Sequence, residues 1–138
     1  MSTPITVIRD QSQPMRHIVH VRNHIVSTDV SVEEGGIDAG PSPHDLYDAA
    51  LSACKALTVL WYAKRKNIPV EDVRVVTERD ASEERKGVYR LAATLHLTGD
   101  LSPAQREELL GVAQKCPVHK LMSSVTTEVA THLAGAPA

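Results

Sequence analysis

Aromatic residues are scarce in this sequence. Its 138 residues include no Phe, one Trp and three Tyr. The core must therefore be built from Val, Leu, Ile and Ala, whose smaller side chains bury less surface each. So few rings also disfavour stacking on nucleic acid bases, and the longest basic run is Lys64–Lys66. We expect no nucleic acid partner, and we expect dimerisation to supply part of the missing burial.

We also expect neither a signal peptide nor a membrane-spanning segment. The segment MSTPITVIRD has no apolar core of the kind that signal peptides carry. The apolar stretch 46–63 contains Asp48 and Lys55, which disfavours a membrane span. Only two cysteines are present, Cys54 and Cys116, as is typical of reducing compartments. We therefore predict a cytoplasmic protein with no membrane partner, and the length suits one compact domain, 1–138.

The stretch Ser42–Lys66 carries the clearest structural signal. Ser42 is followed by Pro43, which suits the first helical position, and by Asp45 at the capping-box position. Only two charges interrupt the apolar run that follows, and the last turn is basic, which favours the negative end of the helix dipole. We predict a long helix, apolar on nearly all sides and buried in the middle of the fold.

Alternating apolar residues predict strands on both sides of this helix. We expect two strands within residues 3–33, with a turn at Asn23–His24. The later elements are, in order, strands 70–79 and 88–98, helices 102–115 and from Pro117, and a final strand Val125–Leu133. The predicted fold class is α+β with antiparallel sheet.

Cys116 begins the sequence Cys-Pro-Val-His, where the last helix is predicted to start. At such an N-cap position, free backbone N–H groups and the positive helix end favour a thiolate. His119 follows within about one turn, close enough to assist through charge or a hydrogen bond. The alternative is that Cys116 is a small buried residue at a helix junction.

Cys54 lies in the middle of the long helix, among apolar and small neighbours. Such surroundings disfavour a thiolate, so activation requires a cation such as Arg9, Arg16 or Arg22 from a strand. Lys55 is the next residue, but it points about 100° away around the helix. Here the alternative is an inert core cysteine.

Other polar residues have simpler explanations. The two cysteines and His119 supply at most three of the four ligands that structural zinc usually takes, so we expect no metal. His44 and Asp45 are acid–base candidates at the helix start, although capping already accounts for Asp45. We expect Asp29 on a solvated face or loop.

Three segments together resemble the OsmC family of osmotically inducible proteins. GPSPHDLYDAALSAC followed by KALTVLWYAKRKNIPVEDVRV is similar to the central helix of that family. KCPVHKLM is similar to its second cysteine segment, and HIVSTDVSVEEGGIDAGPSP to its hairpin and the loop before the helix. The resemblance covers roughly residues 20–130, in the same order and at similar spacing.

The resemblance implies an OsmC-like fold, with antiparallel sheets packed around two central helices in an intertwined homodimer. It also implies a thiol-dependent peroxidase that reduces organic hydroperoxides, and hydrogen peroxide as a further substrate, in oxidative stress defence. In that reaction Cys54 becomes a sulfenic acid, Cys116 resolves it as a disulfide, and an external dithiol reduces the disulfide. No cofactor is implied.

One position departs from the family. Its hydroperoxide reductases have a glutamate ten residues before the first cysteine, paired with an arginine that holds the thiolate, and this chain has His44 there. We assign the arginine to Arg22. The resemblance also makes Cys54 the attacking thiol, although the helix start favours a thiolate at Cys116. The alternative function is a non-catalytic protein that binds a small apolar or redox-active ligand in a Leu- and Val-lined pocket at the dimer interface.

Overall fold

The computed structural model describes residues 3–135, which form five strands, three α-helices and two short 3-10 turns. The elements are, in chain order, β1 (Ile5–Arg9), β2 (His17–Val21), β3 (His24–Thr28), α1 (Pro43–Arg65), β4 (Val70–Asp80), β5 (Arg90–Gly99), α2 (Pro103–Gln114) and α3 (Pro117–Ser123). Strands β1, β2 and β3 form one antiparallel sheet in that order, and β4 pairs with β5 in a second. The predicted α+β class with antiparallel sheets is confirmed.

The chain divides into two compact units. The first comprises the residues up to Ser52 together with Thr77–Ala93. The second comprises Ala53–Val76 together with the residues from Thr94 onward. The first unit contains the three-stranded sheet and the loop before α1, and the second contains α2, α3 and both cysteines.

Helix α1 begins where the sequence predicts, and the capping box is formed. The Ser42 hydroxyl accepts a hydrogen bond from the Asp45 N–H at 3.1 Å, and the Asp45 carboxylate accepts one from the Ser42 N–H at 3.0 Å. Burial on all sides is not observed, because Leu57 and Trp61 are 67% and 60% exposed. The elements of one chain cover only part of this apolar helix, so one of its faces is left open.

The N-terminal sheet has three strands where the sequence predicts two. Strand β1 pairs with β2 from Ile5↔Val21 to Arg9↔His17, and β2 pairs with β3 from His17↔Thr28 to Val21↔His24. The second hairpin therefore turns at Arg22–Asn23, one residue earlier than predicted. Arg22 has a φ of 54°, the left-handed conformation that two-residue hairpin turns require.

Asp29 is buried, contrary to the prediction of a solvated position. Its side chain is 2% exposed, and its carboxylate accepts hydrogen bonds from the backbone N–H groups of Val30, Ile37 and Ala39 at 2.8, 3.2 and 3.0 Å. The bond from Ala39 is the largest of the effects that hold the pKa of this carboxyl below its usual value. These bonds end the strand at Thr28 and fold the Gly-rich loop around one side chain.

The predicted final strand, Val125–Leu133, is wrong. The segment forms neither strand nor helix, and Val129 and Leu133 are 82% and 98% exposed. A strand needs a neighbour that accepts its backbone hydrogen bonds. Within residues 3–135, neither sheet includes this segment as a partner strand.

The buried core of the second unit is made of small and aliphatic side chains, as the composition predicts. Val59 and Ala63 of α1 pack with Leu109 and Ala113 of α2. Helix α2 begins at the predicted Ser-Pro start, where Ser102 and Gln105 form a complete capping box. The cap fixes where α2 starts and therefore which of its residues face the core.

Truncation of Leu109 tests this core. The side chain is 0% exposed, so Leu109→Ala leaves a cavity and should lower the free energy of unfolding by about 3 kcal/mol. Leu110 on the same helix is 40% exposed, and Leu110→Ala should cost less than about 1 kcal/mol. Urea unfolding of both variants measures the difference, and equal losses would contradict the packing described.

Candidate functional site

The two cysteines meet in the second unit, and both are free thiols. Cys54 is partly buried in the middle of α1, and its sulfur lies 3.9 Å from the Thr58 hydroxyl. Cys116 is fully buried at the N-cap of α3, where its sulfur accepts a hydrogen bond from the His119 N–H at 3.4 Å. The Cys54 side chain is close enough to Cys116 to raise the pKa of its thiol. The fold thus brings together two thiols that are far apart in sequence.

The N-cap position of Cys116 is confirmed, but the thiolate that it was expected to favour is not. Burial raises the pKa of the Cys116 thiol above its usual value and is the strongest effect on it. The N–H of His119 acts in the opposite direction, as does the positive charge of Lys55, while the neighbouring Cys54 raises the pKa further. The loss of hydration at the sulfur therefore changes the pKa of Cys116 more than the N-terminus of the helix does.

Lys55 is the site residue that sequence reasoning missed. It is 7% exposed, and its Nζ donates hydrogen bonds to the Ala113 carbonyl at 2.8 Å and to His119 Nδ1 at 2.9 Å. Because Nδ1 accepts this bond, the hydrogen of the neutral His119 ring is on Nε2. A lysine inside an otherwise apolar helical run was the available signal, since a lysine buried there needs polar partners.

The three candidate arginines all belong to the first unit. Arg22 is an exposed turn residue between β2 and β3. Arg9 donates to the Gln13 carbonyl, and Arg16 pairs with Asp10 at 2.6 Å. Hydrogen bonds from Ser12, and then from Arg16, hold the pKa of Asp10 at about 2. The role assigned to Arg22 stays a prediction.

His44 and Asp45 are both engaged in pairs within the first unit. His44 Nε2 lies 3.0 Å from a carboxylate oxygen of Glu84, and both side chains are well exposed. Asp45 forms the capping box already described and also pairs with Arg79. The capping explanation of Asp45 is therefore confirmed, and His44 lies beside a carboxylate that comes from the β4–β5 connection.

A second polar cluster in the first unit was not expected from sequence. Asp48 is 8% exposed and accepts hydrogen bonds from Arg79 Nε at 2.5 Å and from the Tyr89 hydroxyl at 2.7 Å. Burial, followed by the bond to Asp48, raises the pKa of Tyr89 to about 12. These partners come from β4 and from the residue before β5, so the local sequence around Asp48 does not predict them.

The first unit has a cavity of about 620 Å³ lined by residues 78–80 and 89–92, and each unit also has a smaller cavity. The smaller cavity of the first unit is about 410 Å³ and is lined by Pro43, His44, Tyr47, Glu84 and Tyr89. That of the second unit is about 420 Å³ and polar, with a lining of Gln114, Lys115, His119, Lys120, Ser123 and Ser124. The binding hypothesis expects its Leu- and Val-lined pocket between two subunits, so it stays a prediction.

Residues 3–135 contain neither a candidate metal cluster nor a candidate membrane span. No three His, Cys, Asp or Glu side chains in that range are placed to share a metal ion. No helix in the same range combines the length and the apolar character that crossing a bilayer requires.

The unequal burial of the two thiols predicts their order of reaction. Cys54 in the Cys116→Ser variant should react with an aromatic disulfide reagent about tenfold faster, or more, than Cys116 in the Cys54→Ser variant. The reason is that Cys116 reacts only when the helix junction opens. Equal rates for both variants in denaturant provide the control, and a faster Cys116 in native protein would contradict the burial.

The chain is similar to a known protein family in sequence and to several solved structures in fold. The family model for OsmC-like proteins matches residues 34–130, while no curated protein matches. Solved structures with the same fold include an OsmC-like protein from Mycoplasma pneumoniae, with a TM-score of 0.71 and 17% identity over 91% of this chain and 89% of that one. An organic hydroperoxide resistance protein from Legionella pneumophila gives 0.66 and 21% over 90% of each chain. The organic hydroperoxide resistance protein OhrB of Bacillus subtilis gives 0.60 and 18% over 90% and 92%. The chain belongs to the OsmC-like protein family.

Proposed function

We propose that this protein is a thiol-dependent peroxidase that reduces organic hydroperoxides, in preference to hydrogen peroxide, in defence against oxidative stress. The observation that carries the proposal is that the free thiols of Cys54 and Cys116 are neighbours in a chain of the OsmC-like family. The relatives from Legionella pneumophila and Bacillus subtilis are named for organic hydroperoxide resistance. A pair of neighbouring thiols is suited to such chemistry, because one can be oxidised and the other can resolve the product.

Cys54 is the attacking thiol in this scheme, since it is the less buried of the two. Its sulfur attacks the O–O bond of the hydroperoxide, and the alkoxide leaves with the thiol proton as an alcohol, which gives a sulfenic acid. The Cys116 sulfur then attacks the Cys54 sulfur, and hydroxide leaves with the Cys116 proton as water. An external dithiol reduces the resulting disulfide by exchange and is itself oxidised to a disulfide.

The raised pKa of Cys116 fits the resolving role. A buried thiol that stays protonated is a poor target for peroxide, because the thiolate is the reactive form. Its attack becomes favourable once Cys54 carries the electrophilic sulfenic acid. Burial therefore gives the two thiols different functions, although they are neighbours in the structure.

Arg22 remains the arginine that we assign to activation of the Cys54 thiolate. The family glutamate is replaced by His44, and the carboxylate of Glu84 lies 3.0 Å from the His44 ring. A carboxylate is thus present at the start of α1, supplied by another element.

We further propose that the activity is cytoplasmic, because thiols are kept reduced and dithiol reductants are available there.

A second candidate function is non-catalytic binding of a small apolar or redox-active ligand. The cavity that includes Tyr47 and Tyr89 favours it, because it gathers two of the three tyrosines of the chain. The Tyr89 ring is held in place by the hydrogen bond from its hydroxyl to Asp48. Such a protein would bind its ligand without consuming peroxide.

We also propose a homodimer, based on the apolar residues that the single chain leaves open. Leu57, Leu60 and Trp61 form one exposed face of α1, with exposures of 67%, 43% and 60%. Their spacing places them side by side on the helix. A contiguous apolar face on a helix is typical of a surface that a partner covers, and a second copy of the chain is the partner that the family leads us to expect.

A thiol count after one equivalent of cumene hydroperoxide tests the peroxidase. Wild-type protein should lose both thiols to an intramolecular disulfide, faster than in a parallel sample with hydrogen peroxide. Cys54→Ser should lower turnover by about 100-fold or more, because no thiol is left to attack. Cys116→Ser should consume one equivalent and stop at the sulfenic acid.

Two outcomes separate the hypotheses. Survival of both thiols in wild-type protein, together with saturable ligand binding that Tyr47→Ala weakens, would favour the binding function. Full activity of Cys54→Ser would rule out the proposed mechanism.

The role of Arg22 is tested separately. Arg22→Gln should slow the formation of the sulfenic acid at Cys54, with Arg9→Gln as the matched control.

The dimer is tested at the exposed face of α1. Leu57→Asp combined with Trp61→Asp should convert a dimer to a monomer in sedimentation, because charges at a buried apolar interface are costly. Glu71→Lys, an exposed position on β4 of the same unit, should leave the sedimentation unchanged. A wild-type protein that sediments as a monomer would contradict the proposal.

A further inference from the structure

The buried Lys55 side chain is placed to act on the thiol pair. It lies in the second unit at 7% exposure, and both of its acceptors are neutral: the Ala113 carbonyl at 2.8 Å and His119 Nδ1 at 2.9 Å. A lysine ammonium has three N–H donors, so these bonds leave one donor available. Among residues 3–135, no carboxylate lies within 4.0 Å of the ammonium as a salt-bridge partner.

A charge buried in this way favours an anion nearby. Removal of an ammonium from water is unfavourable unless its charge is compensated. The Ala113 carbonyl is in the last turn of α2 and provides only the partial negative charge of a helix end. The second unit has two neighbouring groups that can become full anions, the thiols of Cys54 and Cys116.

His119 connects the ammonium to Cys116. Its ring accepts the hydrogen bond from Lys55, while its backbone N–H donates to the Cys116 sulfur at 3.4 Å. The groups that act on this sulfur are Cys54 and Lys55 from α1 and His119 from α3. Lys115, the residue before Cys116, is exposed at the end of α2. Lys55 is therefore the buried cation of this cluster.

We propose that Lys55 is a positioning residue that stabilises the thiolate of Cys116 as this sulfur attacks oxidised Cys54. The role in resolution rests on the proposed peroxidase function, whereas the effect on the thiol does not. In the step itself the S–S bond forms and the S–O bond of the sulfenic acid breaks. The proton of Cys116 leaves with the hydroxide as water, so Lys55 keeps its protons and contributes charge alone.

An NMR titration of isotope-labelled cysteine Cβ signals tests the charge effect without any peroxide. Lys55→Met should raise the pKa of Cys116 by about one unit or more, because it removes the neighbouring positive charge. Lys55→Arg should restore much of the difference. Lys64→Met removes an exposed charge from the same helix and should leave the titration unchanged, since solvent screens that charge. An unchanged Cys116 titration in folded Lys55→Met would overturn the proposal.

A reciprocal measurement covers the case in which Lys55→Met does not fold. If the two charges stabilise each other, removal of the thiol must affect the lysine equally. The ammonium signal of Lys55 should then titrate at lower pH in Cys116→Ser than in wild-type protein. If the Lys55 ammonium titrates with the same midpoint in both proteins, the proposal is overturned.

Kinetics separate this inference from the proposed function. Lys55→Met should slow disulfide formation after peroxide addition by about tenfold, while the rate of sulfenic acid formation at Cys54 stays close to that of wild-type protein. If wild-type protein consumes no peroxide, the peroxidase fails but the titrations still decide the effect of Lys55. If peroxide is consumed and disulfide formation is unaffected, Lys55 has no role in resolution.

Discussion

The two hydrogen bonds of the Lys55 ammonium connect the three helices of the second unit. One bond goes to the Ala113 carbonyl of α2 and the other to the His119 ring of α3. The last carbonyls of a helix lack partners within it, and the negative helix end favours a cation. Lys55 therefore satisfies a group that an apolar side chain at this position would leave unpaired. The position of α3, and with it that of Cys116, depends on this interaction.

The first part of α1 also contains a buried charged residue with polar partners, and its charge is negative. Asp48 is buried in the first unit, and it is satisfied by Arg79 and by the Tyr89 hydroxyl. The two charges inside the apolar run of α1 are therefore both paired with groups from distant parts of the chain. An almost wholly apolar helix would slide or rotate at little cost, whereas polar partners define one position for it.

Local signals predicted the parts of the fold that depend on neighbours in sequence. The Ser-Pro starts at Ser42 and Ser102 and the N-cap position of Cys116 lie within a few residues of the groups that they cap. Asp29 and Lys55 could not be placed in this way. Two of the three partners of Asp29 lie 8 and 10 residues away, and those of Lys55 lie 58 and 64 residues away. The segment 125–133 has the residues of a strand, but the chain offers it no neighbour within the described residues. The proximity of the two thiols likewise arises from packing, which the sequence order alone does not reveal.

The N-cap of α3 gives oxidation of Cys116 a conformational consequence. The sulfur of this residue accepts a hydrogen bond from the N–H of His119, in the first turn of a helix only seven residues long. A disulfide bond to Cys54 would move this sulfur and replace its S–H, so the geometry of the hydrogen bond that it accepts would change. Each redox cycle would then loosen and retighten the start of α3. The rate of hydrogen exchange at the His119 amide would then differ between the reduced and the oxidised protein. A measurement at this one amide would therefore report the oxidation state of the thiol pair.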